Sequence, residues 1–131
     1  MPAFGAERLE RMFAARSFLN AGIVVAAHSD YPAALYPPLM GIQAMVTRTS
    51  ANGQPIGLSQ KISVIEALKL YTINAAYHTF EESILGSIEP GKLADLVVLG
   101  KDILEVPTST IKDIPVEITM VGGKIAYRKK D

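Results

Sequence analysis

The chain has 131 residues, enough for one domain with a real core and too few for two complete ones. Its 13 basic and 13 acidic side chains cancel, so no broad electrostatic pull toward nucleic acid or an anionic membrane is built in. Cysteine is absent, which excludes disulfides and thiolate metal sites, and no apolar stretch approaches the roughly 20 residues that span a bilayer.

The N-terminal segment carries Glu7 and Glu10 where a secretory signal needs an uninterrupted apolar region, so a cytoplasmic location is expected. Residues 6–20 read as one helix: Leu9, Met12, Phe13, Ala15 and Leu19 make an apolar stripe at helical spacing. Gly22 follows where a left-handed C-terminal residue is favoured. Residues 23–27, Ile23-Val-Val-Ala-Ala27, then form a continuous apolar run of strand length. Without polar alternation such a strand is predicted to be buried on both faces, as in parallel sheets.

Polarity changes abruptly at His28-Ser29-Asp30, and three prolines between residues 31 and 38 exclude regular helix or central strand. Residues 39–49 suit a short helix, and residues 50–57 an open loop. Ser63-Val-Ile-Glu66 is a capping box, opening a helix whose face is Val64, Ala67, Leu68, Tyr71 and Ala75. Asn74 is a poor helix-interior residue, so a break is predicted between Thr72 and Asn74. From residue 84 the pattern is β. Glu89-Pro-Gly-Lys92 reads as a turn and residues 95–99 as a strand. Val116, Ile118 and Met120 alternate with Glu117 and Thr119, and Gly122-Gly123 returns the chain antiparallel. Arg128-Lys-Lys130 is a short basic run of the kind that is usually solvated.

Asp30 is the leading candidate for chemistry, because an acid ending a buried parallel strand sits where α/β folds place their ligands. The alternative is an Asp that closes its own turn. On a strand, His28 and Asp30 share a face. A zinc site from His28, Asp30 and His78 would use both histidines of a chain that has no cysteine, and a buried, hydrogen-bonded His28 is the more ordinary reading. Tyr31 and Tyr36 could meet a ligand or pack on their loop; Met12, Met40 and Met45 read as core filler. No Gly-rich phosphate loop or nucleophile elbow is present.

Taken in order, Ser29-Asp30, Pro38-Leu-Met-Gly-Ile-Gln-Ala-Met-Val-Thr-Arg48, Glu66-Ala-Leu, Tyr71-Thr-Ile-Asn-Ala-Ala76, Gly86-Ser-Ile-Glu-Pro-Gly-Lys-Leu-Ala-Asp-Leu-Val-Val-Leu99 and Val121-Gly-Gly-Lys-Ile-Ala-Tyr127 resemble the C-terminal end of the amidohydrolase superfamily, specifically its family three. The resemblance runs from about residue 4 to 128. It implies an α/β parent, a (β/α)8 barrel with a β-sandwich built from both chain ends. This chain would be the last barrel unit followed by a small antiparallel β unit, α+β by itself. Residues 1–80 would close the barrel, with 23–27 as strand eight, and residues 81–131 would supply half the sandwich.

The resemblance further implies hydrolysis of a C–N bond in a small amide or N-acyl compound. Asp30 would be the catalytic carboxylate, either a ligand of a divalent metal, expected to be zinc, or the group that takes a proton from the metal-bound water. A carboxylate beside metal-bound water accepts its proton as hydroxide attacks a carbonyl. Two departures stand out. A barrel of this kind needs about 250 residues, and the paired histidines, the mid-barrel lysine or acid and the later histidines have no counterpart here. Family members also commonly carry a small residue where this chain has His28. The chain alone is therefore expected to be inactive and to bind zinc no better than weakly. The rival expectation is a non-catalytic module that self-associates. An unpaired apolar strand invites pairing with a second copy, so a homo-oligomer is expected under either reading.

Overall fold

The computed structural model describes residues 5–34 and 36–130. Leu35, inside the proline-rich loop, lies outside the described residues, as do residue 131 and residues 1–4, where the family resemblance begins. Among the described residues five α-helices come first: α1 (Ala6–Glu10), α2 (Ala15–Asn20), α3 (Pro38–Thr47), α4 (Val64–Tyr71) and α5 (Ile73–His78). Strands β1 (Leu96–Leu99), β2 (Val116–Val121) and β3 (Lys124–Arg128) follow as one antiparallel sheet in the order β1-β2-β3.

The single helix predicted over residues 6–20 is in fact two, and the cause is distant in sequence. Phe13 takes a positive φ of 51° between them and is 75% exposed. The freed carbonyls go to Arg48, whose guanidinium donates to the Met12 oxygen at 2.6 Å and the Phe13 oxygen at 3.5 Å. Its Nε donates to the carbonyls of Ile56 and Gly57 at 2.9 and 3.1 Å. Arg48 is itself buried and left-handed, with φ 54°. Four carbonyls satisfy a cation that would otherwise be costly to bury. α2 ends as expected: Gly22 at φ 73° lets its own amide reach Leu19 O and lets Ile23 N reach Phe18 O, both at 3.0 Å.

A second tie fastens α2 to α4. Arg16 grips Glu66 with two parallel bonds, 2.8 and 2.6 Å, and donates to the Lys61 carbonyl. Glu66 also completes the predicted capping box with Ser63. The helix break falls at Thr72, with φ −124° and ψ −100°, inside the predicted interval. The core is shared between the helical and β parts: Ile42, Ile62, Ala67 and Leu70 pack with Ile103, Ile111 and Ile114. The last two belong to or adjoin a 3₁₀ segment, Thr108–Asp113, that lies on α3. The hairpin Gly122-Gly123 has both residues at positive φ, 56° and 77°, as a tight two-residue loop demands. Beyond it the basic residues are exposed, and Lys129 pairs with Glu117.

The strand predicted over residues 23–27 is not formed. Among the described residues no strand pairs with it, and Ile23 and Val24 are 50% and 41% exposed instead of buried. Strand geometry needs a partner ladder, and among the described residues the only sheet lies at the other end of the sequence. Val25 and Ala27 alone pack against the core.

The Arg16–Glu66 tie sets a pH dependence. Hydrogen bonds from Arg16 above all, with those from Ser63, lower the Glu66 carboxyl from 4.5 to about 2. A depressed folded value means stability present above the unfolded value and lost as pH falls toward 2. Arg16→Met should therefore be less stable than wild type at neutral pH, with the gap closing as pH falls to about 2. Urea midpoints of both proteins across that range measure it; a gap independent of pH would refute the coupling.

Candidate active site

The backbone of residues 23–27 finds its partners in helices in place of a sheet. The Ala27 amide donates to the Leu70 carbonyl at the end of α4, 3.0 Å away. Asn74 and His78 stand four apart on α5 and so share one face. The Asn74 amide donates to the Val25 carbonyl at 2.9 Å, and the His78 ring Nε2 meets the Val24 carbonyl at 3.2 Å. Asn74 reads in sequence only as a helix breaker. Its second role rests on a contact 49 residues away that no local pattern signals.

This anchoring delivers Asp30. The residue has a left-handed φ of 56°, a conformation Asp tolerates better than most side chains. Its carbonyl accepts from Ala33 N at 2.8 Å, and its own amide donates to His28 Nδ1 at 3.1 Å. The turn is thus closed by backbone and imidazole. Among the described residues no donor meets the Asp30 carboxylate, which stays exposed. His28 is exposed as well, correcting the expectation of a buried ring, though it is hydrogen-bonded. Tyr31 and Tyr36 meet edge to face with centroids 5.7 Å apart and stay 69% and 68% exposed, forming an aromatic rim on the loop beyond Asp30.

His78 does not join His28 and Asp30, being engaged at Val24. Among the described residues no group of three or more His, Cys, Asp or Glu side chains could hold a metal ion. One carboxylate beside an engaged imidazole is too few donors for a catalytic metal, so a metal does not fit these residues by themselves. A broad concavity lies elsewhere. A groove of about 910 Å³ runs between α3–α5 and the sheet, lined mainly by apolar side chains such as Leu39, Leu68, Leu85 and Val97. Neither His28 nor Asp30 lines it.

Helices followed by an antiparallel sheet, with an acid held at the end of an extended segment, make an α+β arrangement in outline. The particular family is then plain from comparison. The sequence profile described as "Amidohydrolase family" matches residues 1–127, and the chain belongs to that family. An N-substituted formamide deformylase from Arthrobacter pascens is 35% identical over 119 residues, 91% of this chain and 22% of that protein. The protein LONG AFTER FAR-RED 3 of Arabidopsis thaliana is 35% identical over 127 residues, covering 94% of this chain and 21% of the relative. The crystal structure of an amidohydrolase from Thermotoga maritima MSB8 superposes with a TM-score of 0.66 at 23% identity, over 87% of this chain and 25% of that one. That last likeness is one of fold. The chain spans about a fifth of the length of these curated relatives.

If the α5 face holds the Asp30 segment, Asn74→Leu should loosen it while leaving the core intact. A hydrogen bond worth about 1 kcal/mol corresponds to roughly fivefold faster exchange of the Ala27 amide. Hydrogen exchange followed by NMR reads this directly. Unchanged protection would mean that packing of Val25 and Ala27 alone holds the segment.

Proposed function

We propose that this chain is the C-terminal end of a hydrolase that cleaves C–N bonds in small amide or N-acyl compounds, with Asp30 as its catalytic carboxylate. The observation that carries the reading is the state of Asp30. Its backbone is held on both sides by Ala33 and His28, while its carboxylate has no partner among the described residues. A carboxylate closing its own turn would be bonded; one kept for a reacting group is left open. Family membership and the deformylase relative support the C–N bond class.

In this reading residues 1–80 close a (β/α)8 barrel, residues 81–131 contribute half a β-sandwich, and Asp30 takes the proton of the water that attacks the substrate carbonyl. The divalent metal expected of the family, zinc by resemblance, would draw its other ligands from outside these residues. The chain alone is then inactive. The extended segment of 23–27 would be the eighth barrel strand, its ladder completed by strands that these residues do not supply.

Asp30→Asn in the full-length enzyme keeps size and removes basicity. Turnover should fall by about 100-fold or more, as for loss of a general base, with little change in melting temperature because no buried charge is left unpaired. Near-normal turnover per folded molecule would sink the assignment.

A second reading is favoured by exposed apolar surface. Ile23 and Val24 on the extended segment, with Val97 and Val98 on β1, are 41–57% exposed. A non-catalytic module that self-associates would cover them. Sedimentation of the 131-residue chain at tens of micromolar should show a dimer or larger species. A clean monomer counts against this reading and against the expected homo-oligomer.

A further inference from the structure

We infer that His28 is a positioning residue for Asp30, acting through its ring Nδ1; this rests on the reading of Asp30 as the catalytic carboxylate. Asp30 holds a left-handed backbone, φ 56°, that a residue with a side chain adopts only when its surroundings favour it. Two contacts do so. Ala33 N closes the turn on the Asp30 carbonyl at 2.8 Å, and His28 Nδ1 takes the Asp30 amide at 3.1 Å.

The second contact is the specific one. An amide can only donate, so Nδ1 must carry a lone pair and the neutral ring keeps its hydrogen on Nε2. A small residue at position 28 offers no such acceptor, and an aliphatic one would turn the amide loose to water. The φ of Asp30 sets the direction of its Cα–Cβ bond, and hence where the carboxylate points. His28 therefore controls aim without touching a reacting atom. The ring is itself anchored indirectly: the backbone just before it is tied by Ala27 N to Leu70 O, so the imidazole reaches Asp30 from a fixed base.

The test uses side chains that separate shape from hydrogen bonding. Asn can place its Oδ1 near the position of Nδ1 and accept the amide; Leu fills similar space without an acceptor. In the full-length enzyme, His28→Leu should lower kcat by about 10- to 100-fold with KM little changed, the scale set by a small misplacement of a catalytic group. His28→Asn should recover most of that loss. A merely structural ring predicts no such rescue. The wild-type 131-residue chain gives an independent readout: ring ¹⁵N spectra should show the Nε2–H tautomer, with a through-bond coupling from the Asp30 amide to Nδ1.

Equal damage by Leu and Asn, or an Nδ1–H tautomer, overturns the inference. So does a His28→Leu enzyme of normal kcat in which Asp30→Asn is inactive, and in that case the catalytic reading of Asp30 survives. If Asp30→Asn itself turns over normally, the underlying reading fails and this one with it.

Discussion

The extended segment of residues 23–27 has backbone donors and acceptors that must be bonded somewhere, and no strand among the described residues takes them. That constraint organises the part of the molecule that leads to Asp30. α4 and α5 answer it with one backbone carbonyl, at Leu70, and two side chains, Asn74 and His78. Helix-borne side chains can satisfy isolated backbone groups but cannot extend a ladder, so the segment is fixed in place while Ile23 and Val24 remain exposed. The break at Thr72 belongs to the same solution, since it ends α4 at Tyr71 and lets a fresh helix carry the two polar side chains.

The longest block of the resemblance, residues 86–99, does its work away from Asp30. Gly86 has φ 86°, and a Cβ there would lie 2.7 Å from the Ile73 Cα, so the loop can pass α5 only as glycine. Lys92, 11% exposed, donates to the Glu82 carbonyl and the Ser87 hydroxyl, both at 2.6 Å. Asp95 accepts the Gly122 amide at 2.6 Å, tying the β2–β3 hairpin to the entry of β1. A charged residue in a sequence block thus invites a chemical reading that its contacts do not support. Lys92 and Asp95 are structural fasteners: Lys92 holds the loop of residues 82–87, and Asp95 holds the hairpin at the entry of β1.

What was legible in the sequence is what short-range chemistry decides. The capping box at Ser63, the glycine stop at Gly22, the break near Thr72 and the Gly122-Gly123 hairpin each involve residues within a few positions of one another, and each is present. The failures share a long-range cause. Helical periodicity over residues 6–20 is real, yet a guanidinium from Arg48 captures the Met12 and Phe13 carbonyls and splits the helix. β-branched residues at 23–25 have strand propensity, but propensity without a partner does not make a strand. For the site, the order Ser29-Asp30 was readable through family resemblance. The imidazole–amide contact was not, because alternation on a strand would send both side chains to one face and says nothing of a left-handed turn at Asp30.

That turn bears on why one carboxylate can be prepared without a complete site. Hydrolysis at an amide carbonyl needs a base aimed at the water, a polarised carbonyl and exclusion of bulk solvent. Under the proposed reading, the described residues address only the first. Asp30 has its main chain bonded at both the amide and the carbonyl, which limits the directions its carboxylate can take. Its exposure, and that of Tyr31 and Tyr36 on the adjoining loop, leaves the solvent side open. Under the proposed reading, aim is encoded locally by residues 28–33, while polarisation and solvent exclusion come from surfaces that must be docked against them. The two Tyr rings, already edge to face, offer such a surface apolar area on the adjoining loop, so under that reading docking there would desolvate a carboxylate whose aim is already set.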